Sequence, residues 1–232
     1  MKTIIISDIH NRTEFIEPLL SSISHDKVIF LGDYWDDYYD TYDDIVRTSK
    51  WLKKSLYISN RIHLHGNHDL WYRFYHNHHI MCSGNTEEKA KIISNIMEPN
   101  DWKMFKLYYF EQNFHITHAG IHPKILNSLT IHDIDIVTSV ALTDVKCDNP
   151  NQWIEPGIAR GGFNQIGGIT WLDWNCEFEP IPNINQIVGH TPMLQHKEKI
   201  TYNSMNYCLD TNNHHIGILE DGKLEIIKNK YL

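Results

Sequence analysis

The chain has 232 residues, of which 41% are hydrophobic and 12% aromatic, and its formal net charge is −8. This apolar content excludes an intrinsically disordered chain, and no apolar run approaches the roughly 18 residues that a membrane-spanning helix needs. The negative charge disfavours nucleic acid and anionic lipid as partners.

The first half of the chain alternates predicted strands with predicted helices. An apolar strand opens the chain, and Thr13 stands where the N-cap of the next helix is expected. The βαβαβ order of these elements predicts an α/β fold with a mostly parallel sheet and helices on its faces. The elements are strand 2–7, helix 13–23, strand 27–31, helix 42–55 and a strand within 58–64.

The second half is richer in predicted hairpins. One hairpin has strands 105–110 and 114–117, and the other has strands 216–220 and 223–227 around the turn pair Asp221 and Gly222. The remaining predictions are helices 87–97 and 133–142 and a segment rich in Pro, Gly and Asn, 146–168, that runs over the surface. We therefore expect a single domain, 1–232, with one surface excursion.

Four short polar clusters each follow a predicted strand, and a fifth follows the apolar pair Ile187 and Val188. The carboxyl ends of parallel strands meet at one edge of a sheet, so the topology brings the first three clusters together. Their carboxylate, imidazole and amide groups suit Mn, Fe or Zn better than an ion bound by soft thiolates. Any one cluster alone could be an ordinary turn or a structural histidine. The presence of all five in this order is hard to explain in that way. The polar residues are Asp8 and His10, Asp33, Asn67, His118 and His190.

These clusters resemble the motifs of the calcineurin-like metallophosphoesterase superfamily, in particular its PPP-type phosphatases and their bacterial and bacteriophage relatives. The resemblance extends from residue 3 to about residue 227. The matching segments are SDIHNR (7–12), GDYWD (32–36), GNHD (66–69), THAGIHP (117–123), GHTP (189–192) and CLDT (208–211).

The resemblance implies a layered β-sheet sandwich flanked by helices, with a dinuclear metal site at the carboxyl ends of the strands. Asp8, His10 and Asp33 would hold one divalent ion, and Asp33 would be shared with the second. The other ligands of the second ion would be Asn67, His118 and His190. Mn is the expected metal, with Fe or Zn as alternatives.

The resemblance also implies hydrolysis of a phosphate ester by a hydroxide that bridges the two ions. His68 matches the general acid of the family, and Asp36 matches the carboxylate that orients it. The candidates for binding the substrate phosphate are Arg160, Asn67 and His65.

The chain departs from PPP-type phosphatases at two positions where those enzymes carry phosphate-binding arginines. Asp37 and His65 stand there instead. A carboxylate beside a phosphate dianion should repel it, which puts protein phosphatase activity in doubt. Arg160 is the best substitute, and Arg12 and Arg73 are further candidates.

Three functions remain open. A PPP-like phosphomonoesterase is favoured, while aromatic residues around the motifs and the HAGI segment (118–121) also suit a nucleotide phosphodiesterase or dinucleoside polyphosphate hydrolase. A noncatalytic scaffold is a remote third, because every expected ligand is present. The substrate would be a phosphorylated small molecule, a nucleotide or a phosphoprotein.

The four cysteines are widely spaced and form no CxxC pair. The N-terminal residues show no basic region followed by an apolar stretch and a cleavage site. These features predict a cytoplasmic enzyme without structural disulfides.

Overall fold

Two five-stranded sheets flanked by helices make up the computed structural model, which describes residues 1–127 and 129–232. The strands are β1 (Lys2–Ile6), β2 (Lys27–Phe30), β3 (Arg61–His63), β4 (Tyr108–Glu111), β5 (Phe114–Thr117), β6 (Asn185–Val188), β7 (Lys197–Ile200), β8 (Met205–Cys208), β9 (His215–Glu220) and β10 (Lys223–Lys228). The helices are α1 (Ile16–Ser22), α2 (Tyr42–Leu56), α3 (Asn67–Arg73), α4 (Glu87–Ser94), α5 (Pro123–Leu126) and α6 (Ile134–Lys146).

The first sheet has the strand order β10-β9-β1-β2-β3. β1, β2 and β3 pair in parallel, as the βαβαβ order predicts, and the hairpin of β9 and β10 extends the sheet antiparallel to β1. Asp221 and Gly222 both have positive φ in the tight turn of that hairpin. The carboxyl ends of β1 to β3 therefore share one edge of the sheet.

The second sheet has the order β4-β5-β6-β8-β7. Its three central strands, β5, β6 and β8, run parallel, and its two edge strands are antiparallel to their neighbours. The loops after β5 and β6 thus leave this sheet at a common edge.

Alternate residues of β1 face two different cores. Ile4 and Ile6 pack in the core beneath the helices, whereas Ile5 packs with Phe114 and Ile187 of the second sheet. This period-2 alternation is the geometry of a strand buried on both faces. The two sheets are accordingly layered, with one apolar core between them and another under the helices.

The two helices that follow the first strands begin differently. Thr41 caps α2 in a capping box with Asp44, the arrangement that stabilises a helix start. The prediction that Thr13 caps α1 is wrong, because α1 begins at Ile16 after Phe15 and has no side-chain cap. The carbonyl of Thr13 instead accepts a hydrogen bond from the amide of Ile16 at 3.2 Å, so a turn precedes the helix.

The segment 146–168 is partly anchored in the interior. Trp153 and Ile154 are buried in the core beneath the helices, while Ile158 and Phe163 are exposed. Backbone hydrogen bonds join the segment to the chain that follows it, including one of 2.7 Å from the amide of Ile169 to the carbonyl of Trp153. The exposed part is therefore a loop held at both ends.

Within the described residues, no helix has the length and apolar character needed to cross a membrane. The four cysteines are all unpaired.

Candidate metal centre

Three side chains from different loops bring a possible ligand atom to one point. Oδ1 of Asn67 lies 3.0 Å from Nε2 of His118 and 2.9 Å from Nδ1 of His190, and the two histidine nitrogens are 3.2 Å apart. All three residues are buried. Atoms this close are spaced to bind a single cation at ordinary ligand distances of about 2.0–2.2 Å.

Two histidines of the site are oriented by backbone carbonyls. Nδ1 of His118 donates to the carbonyl of Leu31 at 2.8 Å, and Nδ1 of His10 donates to the carbonyl of Trp35 at 3.0 Å. Because a carbonyl only accepts, the proton of the neutral ring resides on Nδ1 and the lone pair on Nε2 faces the site. Fixing the ring in this way is how proteins prepare a histidine to bind a metal ion.

Asp33 lies between two groups of possible ligands. Its Oδ2 is 3.4 Å from Nε2 of His118 and 3.9 Å from Nε2 of His10. Asp33, His118 and His190 form one group whose ligand atoms lie within 4.8 Å of one another, and Asp8, His10 and Asp33 form the other. Asp33 is common to both groups, which is the arrangement of a carboxylate shared by two ions.

Asp69 fixes the backbone around Asp33. Its carboxylate accepts from the amides of Asp33, Tyr34 and Gly66 at 2.8, 2.9 and 2.7 Å. Burial, and then the negative charge of Asp33, raise the pKa of Asp69 to about 7. The loop after β2 is thereby tied to the loop after β3, and Asp33 is held with a positive φ of 51°.

Asp8 links the two sheets at the site. Its carboxylate accepts from the backbone amide of His190, with Oδ1 at 3.0 Å, and from the hydroxyl of Ser7. Its backbone carbonyl accepts from Nδ2 of Asn213 at 2.8 Å. The loops after β1 and β6 are therefore in direct contact.

The charges of the site are strongly coupled. Burial acts to lower the pKa of His118, but the charge and hydrogen bond of Asp33, together with the charge of Asp8, outweigh it and raise that pKa to about 9. Burial acts to raise the pKa of Asp33, but the positive charges of His118, His68 and His10 together more than offset it, so this pKa is lowered. Burial, followed by the charges of His118 and Arg160, lowers the pKa of His190 well below its ordinary value. A divalent cation would supply the positive charge that the buried carboxylates otherwise draw from His118.

The donor set fits a borderline divalent metal ion. It combines carboxylate oxygens, imidazole nitrogens and one amide oxygen, the mixture that suits Mn, Fe or Zn. Nε2 of His190 is buried with no hydrogen-bond partner among the described residues, while its Nδ1 faces Asn67 and His118. The contacts of Nδ1 with Asn67 and His118 therefore account for the orientation of the His190 ring.

His68 and Asp36 form a pair next to this centre. Nδ1 of His68 lies 3.0 Å from Oδ2 of Asp36, and the ring of His68 meets that of His10 edge to face at 5.3 Å. Burial acts to lower the pKa of His68, but the charge of Asp33 and the bond to Asp36 raise it well above its usual value. The pair has the geometry of an imidazolium whose carboxylate partner orients it.

Three further side chains contact Asp36, and the sequence patterns did not predict these contacts. Tyr72 donates to Oδ1 at 2.5 Å, Lys89 to Oδ1 at 2.9 Å, and Asn85 to Oδ2 at 2.7 Å. No spacing rule connects residues 85 and 89 with residue 36. Only the packing of α4 on the loop after β2 brings them together.

Arg160 lies beside the second group of ligands. Its Nη2 donates to Oγ1 of Thr191 at 3.2 Å, and its Nε pairs with Oδ2 of Asp173 at 2.9 Å. Thr191 follows His190 directly, and the charge of Arg160 contributes to the low pKa of His190. The structure therefore brings this predicted phosphate-binding residue to the site.

His65 has a different environment from the other predicted site residues. Its ring is fully buried and stacks on Phe105 at 4.6 Å, and its Nε2 accepts from Nη1 of Arg73 at 2.9 Å. With its ring covered and this nitrogen occupied, His65 offers no surface to a bound phosphate. Arg73 is likewise engaged with His65.

Asp37 is paired with a cation. Nη2 and Nε of Arg12 donate to its Oδ2 at 3.1 and 3.2 Å, and Nη1 of Arg12 donates to the carbonyl of Asn212 at 3.3 Å. Arg12 therefore compensates the negative charge that was expected to repel a phosphate.

Residues 1–216 match the family described as calcineurin-like phosphoesterase. The chain belongs to this family. Its members are phosphoesterases that use divalent metal ions, so the chain is an enzyme that hydrolyses phosphate esters, and the two groups of ligands around Asp33 are where such ions fit.

Solved structures with the same fold include known phosphatases. A cold-active protein-tyrosine phosphatase from a psychrophilic Shewanella species is 14% identical, with a TM-score of 0.65, and the match covers 100% of this chain and 78% of that one. A protein serine/threonine phosphatase from Saccharomyces cerevisiae, with similarity to human phosphatase PP5, is 12% identical, with a TM-score of 0.56 and coverage of 99% and 79%. At such identities the similarity shows the fold alone. A comparison with curated protein sequences finds no match.

Proposed function

We propose that this calcineurin-like phosphoesterase hydrolyses phosphate monoesters. The observation that carries the proposal is the His68–Asp36 pair beside the metal centre, because a leaving alkoxide or phenoxide needs a proton donor at that place. The substrate would be a phosphorylated small molecule, a nucleotide or a phosphoprotein, and the two phosphatases of similar fold are consistent with this class.

The ligands of the first ion are Asp8, His10 and Asp33 in this proposal. Those of the second are Asp33, Asn67, His118 and His190. When bound, the two divalent ions supply Lewis acidity that activates a water molecule and polarises the phosphoryl group. Mn is the first choice, and Fe or Zn would suit the same donors.

His68 has the role of general acid. As the bond between phosphorus and the leaving oxygen breaks, Nε2 of His68 gives that oxygen a proton, while a water oxygen forms the new bond to phosphorus. The water loses a proton to solvent, and His68 regains one from solvent before the next turnover. Asp36 accepts a hydrogen bond from Nδ1 of His68, with Nδ1 and Oδ2 3.0 Å apart, which leaves Nε2 available for the substrate. Such a positioned acid contributes roughly 10²–10⁴-fold to the rate.

Arg160 binds the phosphate in this proposal, together with the amide group of Asn67. Arg160 is a fixed cation beside His190, and Arg12 cancels the charge of Asp37. A dianionic monoester therefore meets less repulsion than the sequence alone suggested.

A second candidate is a nucleotide phosphodiesterase or dinucleoside polyphosphate hydrolase. The observation in its favour is that Tyr38 and Tyr39, just after Asp37, are 98% and 95% exposed, which leaves their rings free to stack on a base. We favour the monoesterase because the His68–Asp36 pair and Arg160 both lie beside the proposed metal centre, which supports protonation of a leaving group and binding of a dianion.

The test compares three substrates with the purified, Mn-loaded protein: p-nitrophenyl phosphate, bis-p-nitrophenyl phosphate and diadenosine tetraphosphate. We expect kcat/KM for the monoester to exceed the other two by at least about tenfold, a difference of about 1.4 kcal/mol in transition-state stabilisation. A preference for either of the other substrates would favour the second candidate.

Two variants test the site itself. Asp8→Asn and His190→Ala should lose turnover and retain less metal, whereas His79→Asn, at an exposed histidine, should match the wild type. Full activity in either site variant would contradict the ligand assignment.

The unpaired thiols support the cytoplasm as the location, since a reducing compartment keeps cysteines free.

A further inference from the structure

Asp36 is held by more partners than the orientation of His68 requires. The carboxylate is buried, and each of its two oxygens has two contacts. Oδ2 faces His68 and Asn85, while Oδ1 accepts from Tyr72 and from Lys89. A buried carboxylate with all of its hydrogen bonds satisfied has a single preferred rotamer.

Lys89 is the charged member of this group. It lies in the first turn of α4 with only 11% of its side chain exposed, and its ammonium group bridges Oδ1 of Asp36 at 2.9 Å and Oδ2 of Asp40 at 2.8 Å. Lysine is seldom buried to this extent unless it is paired. Burial acts to lower the pKa of Lys89, but the bonds to Asp40 and Asp36 outweigh it, so the group is a cation at neutral pH.

The chain around Lys89 is shaped to reach Asp36. Gly84 has a positive φ of 92°, and a side chain there would come within 3.0 Å of Cβ of Asp36. Asn85 then donates both to Oδ2 of Asp36 and, at 3.3 Å, to the carbonyl of His68. Thr86 caps α4, which starts the helix so that Lys89 points at the carboxylate.

We propose that Lys89 is a positioning residue for proton donation by His68. By occupying Oδ1 of Asp36, its ammonium group leaves Oδ2 as the acceptor for Nδ1 of His68 and fixes the plane of the imidazole. Lys89 does not contact the substrate, and its effect reaches the reaction only through Asp36 and His68. The inference rests on the proposed role of His68 in monoester hydrolysis.

The test measures the dependence of kcat on the leaving group in the Mn-loaded full chain. Phenyl phosphate has a poor leaving group that needs a proton, whereas 2,4-dinitrophenyl phosphate has a good one that does not. Lys89→Met should lower kcat about tenfold on phenyl phosphate and less than about twofold on the dinitrophenyl ester, because only protonation of the leaving group is impaired. KM and bound metal should stay at the wild-type level.

The matched control is Lys91→Met, two residues along the same helix, where the lysine side chain is 72% exposed. It should behave as the wild type. Lys89→Arg keeps the charge and should restore most of the lost rate. Lys89→Gln keeps a hydrogen-bond donor without the charge, and it replaces Lys89→Met in the comparison if that variant does not fold.

A double variant separates positioning from a structural role. In a His68→Asn background, Lys89→Met should cause no further loss on either substrate, since the group through which it acts is gone. Equal losses on both substrates, or a further loss in the His68→Asn background, would overturn the inference. If the wild type hydrolyses neither monoester, the proposed function itself fails. If His68→Asn loses rate on phenyl phosphate but Lys89→Met does not, only the role of Lys89 fails.

Discussion

His63, at the end of β3, is a fully buried histidine in its neutral form. Its ring stacks on Phe30 at 4.6 Å, Nδ1 lies 2.9 Å from the hydroxyl of Tyr34, and Nε2 lies 3.0 Å from the hydroxyl of Ser55. Burial, and then the positive charge of Arg61, lower the pKa of His63 to about 3. Two hydroxyl partners explain how the ring is accommodated without a charge.

This low pKa predicts a loss of stability in acid. The unfolded chain takes up the proton near pH 6.5, and the folded chain does so only near pH 3, so stability falls as the pH drops below about 6.5. Between those values His63 should contribute a loss of about 1.4 kcal/mol per pH unit. His63→Gln, which can bond to the same hydroxyls, should show a shallower slope when the free energy of unfolding by urea is measured at pH 7, 6, 5 and 4.5.

The difference between the two slopes is the relevant quantity, because other groups also titrate in this range. His214→Gln, at an exposed histidine, serves as the control and should keep the wild-type slope. Identical slopes for wild type and His63→Gln would show that His63 is not the neutral, buried group described here.

Arg160 is the residue on which monoester binding should depend most. Loss of one charge-assisted hydrogen bond costs roughly 1.5–3 kcal/mol, so Arg160→Met should lower kcat/KM for p-nitrophenyl phosphate about 10- to 100-fold. Arg160→Lys should recover only part of this, since a lysine cannot donate two parallel bonds to phosphate. Steady-state kinetics measure both variants, with Lys50→Met on the exposed face of α2 as the control. Unchanged kinetics in Arg160→Met would remove Arg160 from the phosphate site.

Among the elements, the turn from β3 into α3 is tightly constrained. Gly66 has an ordinary negative φ of −91°, but a Cβ there would overlap the carboxylate of Asp33 and lie 2.5 Å from its amide nitrogen. Glycine is therefore required here because Asp33 approaches the backbone of Gly66 closely, and not because the backbone needs a positive φ. Gly66→Ala should displace Asp33, abolish activity and reduce bound metal, as measured by turnover and metal analysis.

Gly222 provides the contrasting case. It has a positive φ of 73° in the β9–β10 turn, where an added Cβ would lie 3.3 Å from the side chain of Asn113. Gly222→Ala should cost about 1–2 kcal/mol of stability through backbone strain and leave activity and metal content unchanged. Wild-type activity in Gly66→Ala would show that the loop can shift without affecting Asp33.

The elements also show which features a sequence can predict. The edge carrying Asp8, Asp33 and Asn67 was predictable because each residue follows an apolar strand, and a glycine directly precedes Asp33 and Asn67. The contact of Lys89 with Asp36 was not predictable, since it depends on how α4 packs on a distant loop. The same holds for His65, whose burial depends on an aromatic stack and not on its place before a motif.

The site joins the two sheets of the whole molecule. Asp8, Asp33 and Asn67 extend from the first sheet, and His118 and His190 extend from the second. Burial and the charge of Asp8 raise the pKa of Asp210 well above its usual value, which shows how closely acidic groups are crowded there. Divalent cations at this junction would offset that crowding and connect the sheets.

Metal removal should therefore destabilise the whole fold and not only the active site. A ligand present at about 100 times its Kd stabilises the folded state by about 2.7 kcal/mol, which for a chain of this size corresponds to a rise in Tm of roughly 5–10 °C. Differential scanning calorimetry of chelator-treated protein, with and without added Mn, measures this shift. In His190→Ala the shift should be much smaller, whereas His79→Asn should retain it. A Tm that does not respond to Mn, or the same response in His190→Ala, would show that the junction between the sheets is stable without a cation and that packing between the sheets alone holds the ligands together.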